Sequence, residues 1–116
     1  MKTPPIPSRA LERLAHIFAE YPELVEVVLF GSRATGKASK YSDIDLAVRG
    51  IVERQRLARL IMDLEETIPV AQKWDVKSYE NIKYKPLKNH IDRFGVTIYQ
   101  AGHGLSVSLA KKRKRT

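Results

Sequence analysis

The sequence contains no cysteine. This excludes disulfides, thiol catalysis and cysteine-ligated zinc, and it suits an intracellular, cytoplasmic protein. No apolar run approaches the roughly 18 residues that a transmembrane helix needs, so no membrane partner is expected. The opening stretch MKTPPIPSRALERL holds no apolar segment long enough for a signal peptide. Acidic residues are in the minority, with 13 Asp+Glu against 21 Lys+Arg and a formal charge of +8. Much of that excess is local: residues 111–116 carry +5 and residues 1–110 only +3. A mildly basic body favours phosphate-bearing partners without requiring them. Aromatics make up 8%, and no aromatic-interleaved basic groove for a nucleic-acid single strand is visible.

What is present is 116 residues, one domain's worth, with 43% apolar content to bury a core. Residues 1–7 hold three prolines and read as an extended arm. Ser8 is placed to cap a following helix over residues 9–20, where Leu11, Leu14, Ala15 and Phe18 fall at helical spacing. Tyr21-Pro22 ends it. Val25 to Phe30 is a nearly continuous apolar run, which fits a strand buried on both faces. Residues 53–68 repeat the helical pattern through Leu57, Leu60, Ile61 and Leu64 and stop at Pro69. Residues 86–94 form a short third helix, and Val96 to Tyr99 a last strand. Gly102-His103-Gly104 marks the exit from a domain spanning 1–104. Residues 105–116 then form a basic tail, expected to be disordered, with nucleic acid as one conceivable contact. The element order implies an α/β fold, a small sheet with helices against one face.

The chemistry lies between the first two strands and on the third. Asp43 to Arg49 alternates strictly, placing Ile44, Leu46 and Val48 on one side and Asp43, Asp45 and Ala47 on the other. Two aspartates so spaced have Cα atoms roughly 6.5–7 Å apart. Their repulsion is relieved by a divalent cation, and an oxygen-only ligand set suits Mg²⁺ or Mn²⁺. Lys73 to Tyr79 alternates too, with Trp74 and Val76 opposite Lys73, Asp75 and Lys77. If Asp75 shares the first pair's face, three carboxylates can hold two metals about 3.5–4 Å apart, as in phosphoryl and nucleotidyl transfer. Asp75 also reads as a surface acid paired with Lys73 or Lys77. Before the aspartates, Gly31-Ser32 follows the apolar strand; glycine lets backbone N–H groups approach a phosphate, and the serine adds a donor. Arg33, Lys37 and Lys40 add positive charge. His16, His90 and His103 have no metal-ligand spacing, and Tyr41, Tyr79, Tyr84 and Tyr99 read as packing residues.

The stretch Gly31 to Ala38, GSRATGKA, comes one residue short of a P-loop: Ala38 stands where a Ser or Thr would ligate magnesium. A P-loop also continues into a helix, whereas DIDLAVR alternates like a strand.

Gly31-Ser32, ten residues, then Asp43-Ile44-Asp45 matches the GS-x10-DxD signature of the DNA polymerase β nucleotidyltransferase superfamily. The stretch FGSRATGKASKYSDIDLAV resembles its minimal nucleotidyltransferase (MNT) branch, the antitoxin half of HEPN–MNT toxin–antitoxin pairs. The similarity runs from about Val25 to Gln100, with Trp74-Asp75-Val76 resembling the third-carboxylate strand and HIDRFGVTIYQ the closing helix and strand. The resemblance implies a small mixed sheet of the polymerase β-like fold. It implies that Gly31, Ser32 and Arg33 bind the nucleotide, and that Asp43, Asp45 and Asp75 are catalytic and hold Mg²⁺, as two ions. The reaction implied is transfer of AMP from ATP to a hydroxyl of a partner macromolecule, a tyrosine of a HEPN-type toxin. Two alternatives stay open: a non-enzymatic antitoxin with a vestigial site, and a nucleotidyltransferase acting on nucleic-acid ends.

Overall fold

A computed structural model of the chain describes residues 6–105. Of the proline-rich arm at 1–7 only Ile6 and Pro7, and of the basic tail at 105–116 only Leu105, are among the described residues. Four helices and five strands follow in the order α1 (Ser8–Ala19), β1 (Glu26–Phe30), α2 (Ser32–Thr35), β2 (Ile44–Arg49), α3 (Arg54–Thr67), β3 (Trp74–Ser78), α4 (Lys85–Phe94), β4 (Val96–Gln100) and β5 (Gly104–Leu105). A single 3₁₀ turn, Tyr79–Asn81, follows β3. Pro7, rather than Ser8, occupies the N-cap position of α1.

The sheet is mixed, in the order β3-β2-β1-β4-β5. β1 pairs antiparallel with both β2 and β4, while β2 and β3 run parallel, joined by the α3 crossover. β1 is the central strand, and its apolar run from Val27 to Phe30 is buried on both sides, as the sequence predicts. Gln100 and Tyr99 pair with Gly104 and Leu105, so the sheet takes in a short strand where the sequence reading ends the fold. The turn through Gly102 (φ +86) folds the chain back for this pairing.

Strand alternation sorts the side chains into two layers. On the first face Val27, Leu29, Ile44, Leu46, Val48, Trp74, Val76 and Ile98 pack against Leu14, Phe18, Leu60 and Leu64 of α1 and α3. On the second face a smaller cluster joins Val28, Phe30 and Ala47 to Ile91 of α4. The expectation of helices on one face therefore holds for α1 and α3 and fails for α4. Leu87 and Ile91 need apolar cover, and the second face offers it at Val28 and Phe30.

Candidate active site

Because β1 and β2 are antiparallel and β2 and β3 parallel, the C-terminal end of β1 and the N-terminal ends of β2 and β3 meet at one end of the sheet. Phe30 lies opposite Asp45, and Asp45 opposite Asp75. Asp43, one residue before β2, shares the parity of Asp45. Oxygens of Asp43, Asp45 and Asp75 lie within 4.8 Å of one another; Asp43 is exposed and the other two half-buried. The alternation of WDV thus brings Asp75 to the other two acids, as its strand parity predicts.

That crowding has an electrostatic cost. The carboxyl of Asp45 is pushed up to about 6, first by burial, then by the charges of Asp75 and Asp43 and by hydrogen bonding with Asp75; Lys77 opposes the shift. Lys77 Nζ lies 3.3 Å from Asp75 Oδ1. The sequence reading treats Lys77 only as a surface partner, although strand parity already places it on the acids' face.

Gly31 makes the turn out of β1 with φ +77, a backbone region that side-chain-bearing residues rarely adopt. A Cβ at this position would run into Oδ2 of Asp45. The glycine is therefore fixed twice, by its backbone and by the acid packed on it. Ser32 starts α2, a single turn closed by the N–H groups of Ala34 and Thr35 donating to the Gly31 carbonyl. Gly36, in the left-handed region, ends it. A four-residue helix running into a loop is the opposite of the long helix that follows a P-loop, so the structure separates this site from that rival reading.

Arg33 is buried, at 4% exposure. Its Nε and Nη2 donate to the Ser42 carbonyl at 3.1 and 3.0 Å, and Nη2 reaches the Lys40 carbonyl at 3.3 Å. Burial lowers its pKa and the charge of Asp45 raises it. Arg33 thus braces the loop that delivers Asp43, and its charge lies in the field of the acids. Gln72 supports the same loop, donating to the Lys40 carbonyl at 2.6 Å. Lys37 and Lys40 are exposed on it.

Farther along the second face, a cleft is lined by Glu26, Arg49, Tyr79, Asp92 and Thr97. Its polar groups satisfy one another: Tyr79 donates to Asp92 at 2.6 Å, Arg49 pairs with Glu26 at 3.2 Å and stacks on Tyr79, and Thr97 donates to Glu26. Tyr79 and Tyr99 are packing residues, as expected, with Tyr99 against Phe18, whereas Tyr41 and Tyr84, read the same way, are exposed. His90 sits between the rings of Phe30 and Phe94, away from any metal-ligand grouping.

Among solved structures, a toxin–antitoxin complex with AMP-PNP matches at TM-score 0.61 and 20% identity, over 74% of this chain and 69% of that one. A complex of tri-AMPylated Shewanella oneidensis HEPN toxin with its MNT antitoxin matches at 0.56 and 18%, over 76% and 67%. A candidate nucleotidyltransferase from Sulfolobus solfataricus matches at 0.56 and 20%, over 86% and 85%. At these identities the likeness establishes the fold. No curated protein is significantly similar in sequence. No helix among the described residues is long and apolar enough to cross a membrane. The family model "Polymerase beta, Nucleotidyltransferase" matches residues 12–103, which spans both Gly31-Ser32 and all three aspartates: the chain belongs to the polymerase β nucleotidyltransferase family.

Proposed function

We propose that this chain is a divalent-metal-dependent nucleotidyltransferase that moves AMP from ATP to a tyrosine of a HEPN-type toxin, acting as its antitoxin. The observation that carries the reading is the convergence of Asp43, Asp45 and Asp75 beside the Gly31-Ser32 turn. The donor set fits Mg²⁺ or Mn²⁺: it offers only carboxylate oxygens, and burial together with the neighbouring acids makes Asp45 resist ionising. Asp43, Asp45 and Asp75 would hold the metal, which when bound neutralises charge on the triphosphate and on the attacking oxygen.

The chain's own residues do the rest. Gly31 keeps the backbone low beside Asp45, and Ser32 presents its hydroxyl and N–H to the phosphates. Arg33 holds the loop so that Asp43 stays at the site. Asp75 accepts the proton of the acceptor hydroxyl. The acceptor oxygen then forms a bond to the α-phosphorus, the bond from that phosphorus to the bridging oxygen breaks, and pyrophosphate leaves.

The acids stand at one end of the sheet's strands, with Asp43 exposed. An acceptor that brings its own surface suits such a site. The solved complexes of the same fold, one with AMP-PNP and one with an AMPylated HEPN toxin, support this choice of donor and partner. The test is co-expression with a HEPN-type partner, followed by intact mass measurement of that partner. Added AMP units that disappear with Asp43→Asn support transfer. A stable complex with no added mass, unchanged by Asp43→Asn, would show neutralisation by contact alone.

A further inference from the structure

Three gathered carboxylates call for a counter-charge, and β3 supplies one in Lys77. Lys77 follows Asp75 by two residues, so both side chains leave the same face of the sheet. Their ion pair is half-open to water, with 40% of the lysine side chain and 39% of the aspartate side chain exposed. Across the sheet Lys77 lies opposite Ala47, whose single methyl group gives its long stem little to lock against. The ammonium is thus a half-exposed point charge on a four-carbon stem, near the acids but not built into the core.

Two charges compete for Asp75. A divalent cation held by the carboxylates would compete for Asp75 and repel the ammonium. A bound triphosphate would offer that ammonium anionic oxygens in its place. We propose that Lys77 is a placeholder cation: it neutralises Asp75 while the site holds no metal and moves onto the phosphates of the nucleoside triphosphate once metal and nucleotide arrive. This rests on the metal- and nucleotide-dependent reading above. It adds a positioning residue that the GS-x10-DxD signature does not include.

The proposal requires effects of opposite sign from one substitution. Lys77→Gln removes the competitor, so Mn²⁺ alone should bind more tightly, by about fivefold, the scale of a half-exposed ion pair. The same variant loses a phosphate contact, so α,β-methylene-ATP in the presence of saturating Mn²⁺ should bind about fivefold or more weakly. Lys77→Arg keeps the charge and should restore Mn²⁺ affinity toward wild type. Calorimetry and the electron paramagnetic resonance signal of free Mn²⁺ read these affinities without turnover, and thermal melting confirms that the variants fold. A side chain serving only stability would move both affinities in one direction or neither. Lys77→Gln with wild-type Mn²⁺ affinity, while Asp43→Asn abolishes Mn²⁺ binding, would overturn the placeholder and leave the metal site standing. Absence of Mn²⁺ binding by the wild type would overturn both.

Discussion

The two faces of this sheet are made by the same strands and differ in what they spend. On the first, Ile44, Leu46 and Val48 are all apolar and disappear under α1 and α3. On the second, one residue out of phase, stand Asp43, Asp45 and Ala47, and on β3 Asp75 and Lys77. The first face is where stability is made. The second gives some of it back at its acidic end, because burial and like charges hold the Asp45 carboxyl at about 6. Such a cost, tolerated by a small domain, points to a ligand that relieves it.

The sharpest break between the faces is in activity. Asp43→Asn and Asp45→Asn should reduce nucleotide transfer by about a thousandfold, since the lost charge stabilisation amounts to several kcal/mol of barrier. Both variants should melt no lower than wild type. A second-face aspartate variant that unfolds would mean the acids hold the fold together, and the contrast would fail.

The complementary substitution lies one residue away. Leu46 is fully buried between β1 and β3 on the helix-covered face. Leu46→Ala should cost about 2–5 kcal/mol in urea unfolding, the range for a buried leucine that leaves a cavity. Its transfer activity per folded molecule should stay near wild type at a temperature below its transition. Loss of activity without loss of stability would show that the two faces are coupled more tightly than the layering implies.

Much of this division is legible in the sequence, because strand parity is a local property. VVLF, DIDLAV and WDV each declare their buried and open positions, and the structure keeps them except at Ala47, which shares the acids' face and is buried there. The spacing of Gly31-Ser32 from Asp43 is equally local. What parity cannot give is which face a helix chooses. The apolar pair Leu87 and Ile91 marks α4 as amphipathic, but only the assembled sheet shows that Val28 and Phe30 are the free apolar surface. Arg33 is hidden for the same reason. In a polar loop it reads as positive charge for phosphate, and only the closed loop brings the Ser42 and Lys40 carbonyls to it. β5 escapes notice because a two-residue strand has no period to read.

Two glycines offer a finer comparison within the loop itself. Gly31 and Gly36 both have positive φ, at +77 and +82, so alanine strains either backbone by about 1–2 kcal/mol. They differ in surroundings: a Cβ at Gly36 meets open space, whereas one at Gly31 meets Asp45. Gly36→Ala should therefore lose about that much stability and keep most of its activity. Gly31→Ala should lose more and displace Asp45, with transfer falling well beyond what the stability change explains. Equal activity losses at the two positions would place the role of Gly31 in backbone conformation alone.

The smallest effect tests the electrostatic cost directly. In the metal-free protein the Asp45 carboxyl sits at about 6, above the ordinary carboxylate range it has when unfolded. The folded state therefore holds this proton more tightly than the unfolded state does. Its contribution to stability is present in full below the unfolded value and is lost as pH rises through about 6. Because the group is half exposed, solvent screening limits the loss to the order of 1 kcal/mol. Asp45→Asn cannot ionise and escapes the loss. In a chelating buffer, variant and wild type should match near pH 4, and the variant should become the more stable of the two by pH 7. Adding Mg²⁺ at pH 7 should close the gap by stabilising the wild type, since binding to the folded state adds to its stability by mass action. A gap that stays constant from pH 4 to pH 7 would mean that Asp45 carries no stored repulsion, and the second face would then be polar without being strained.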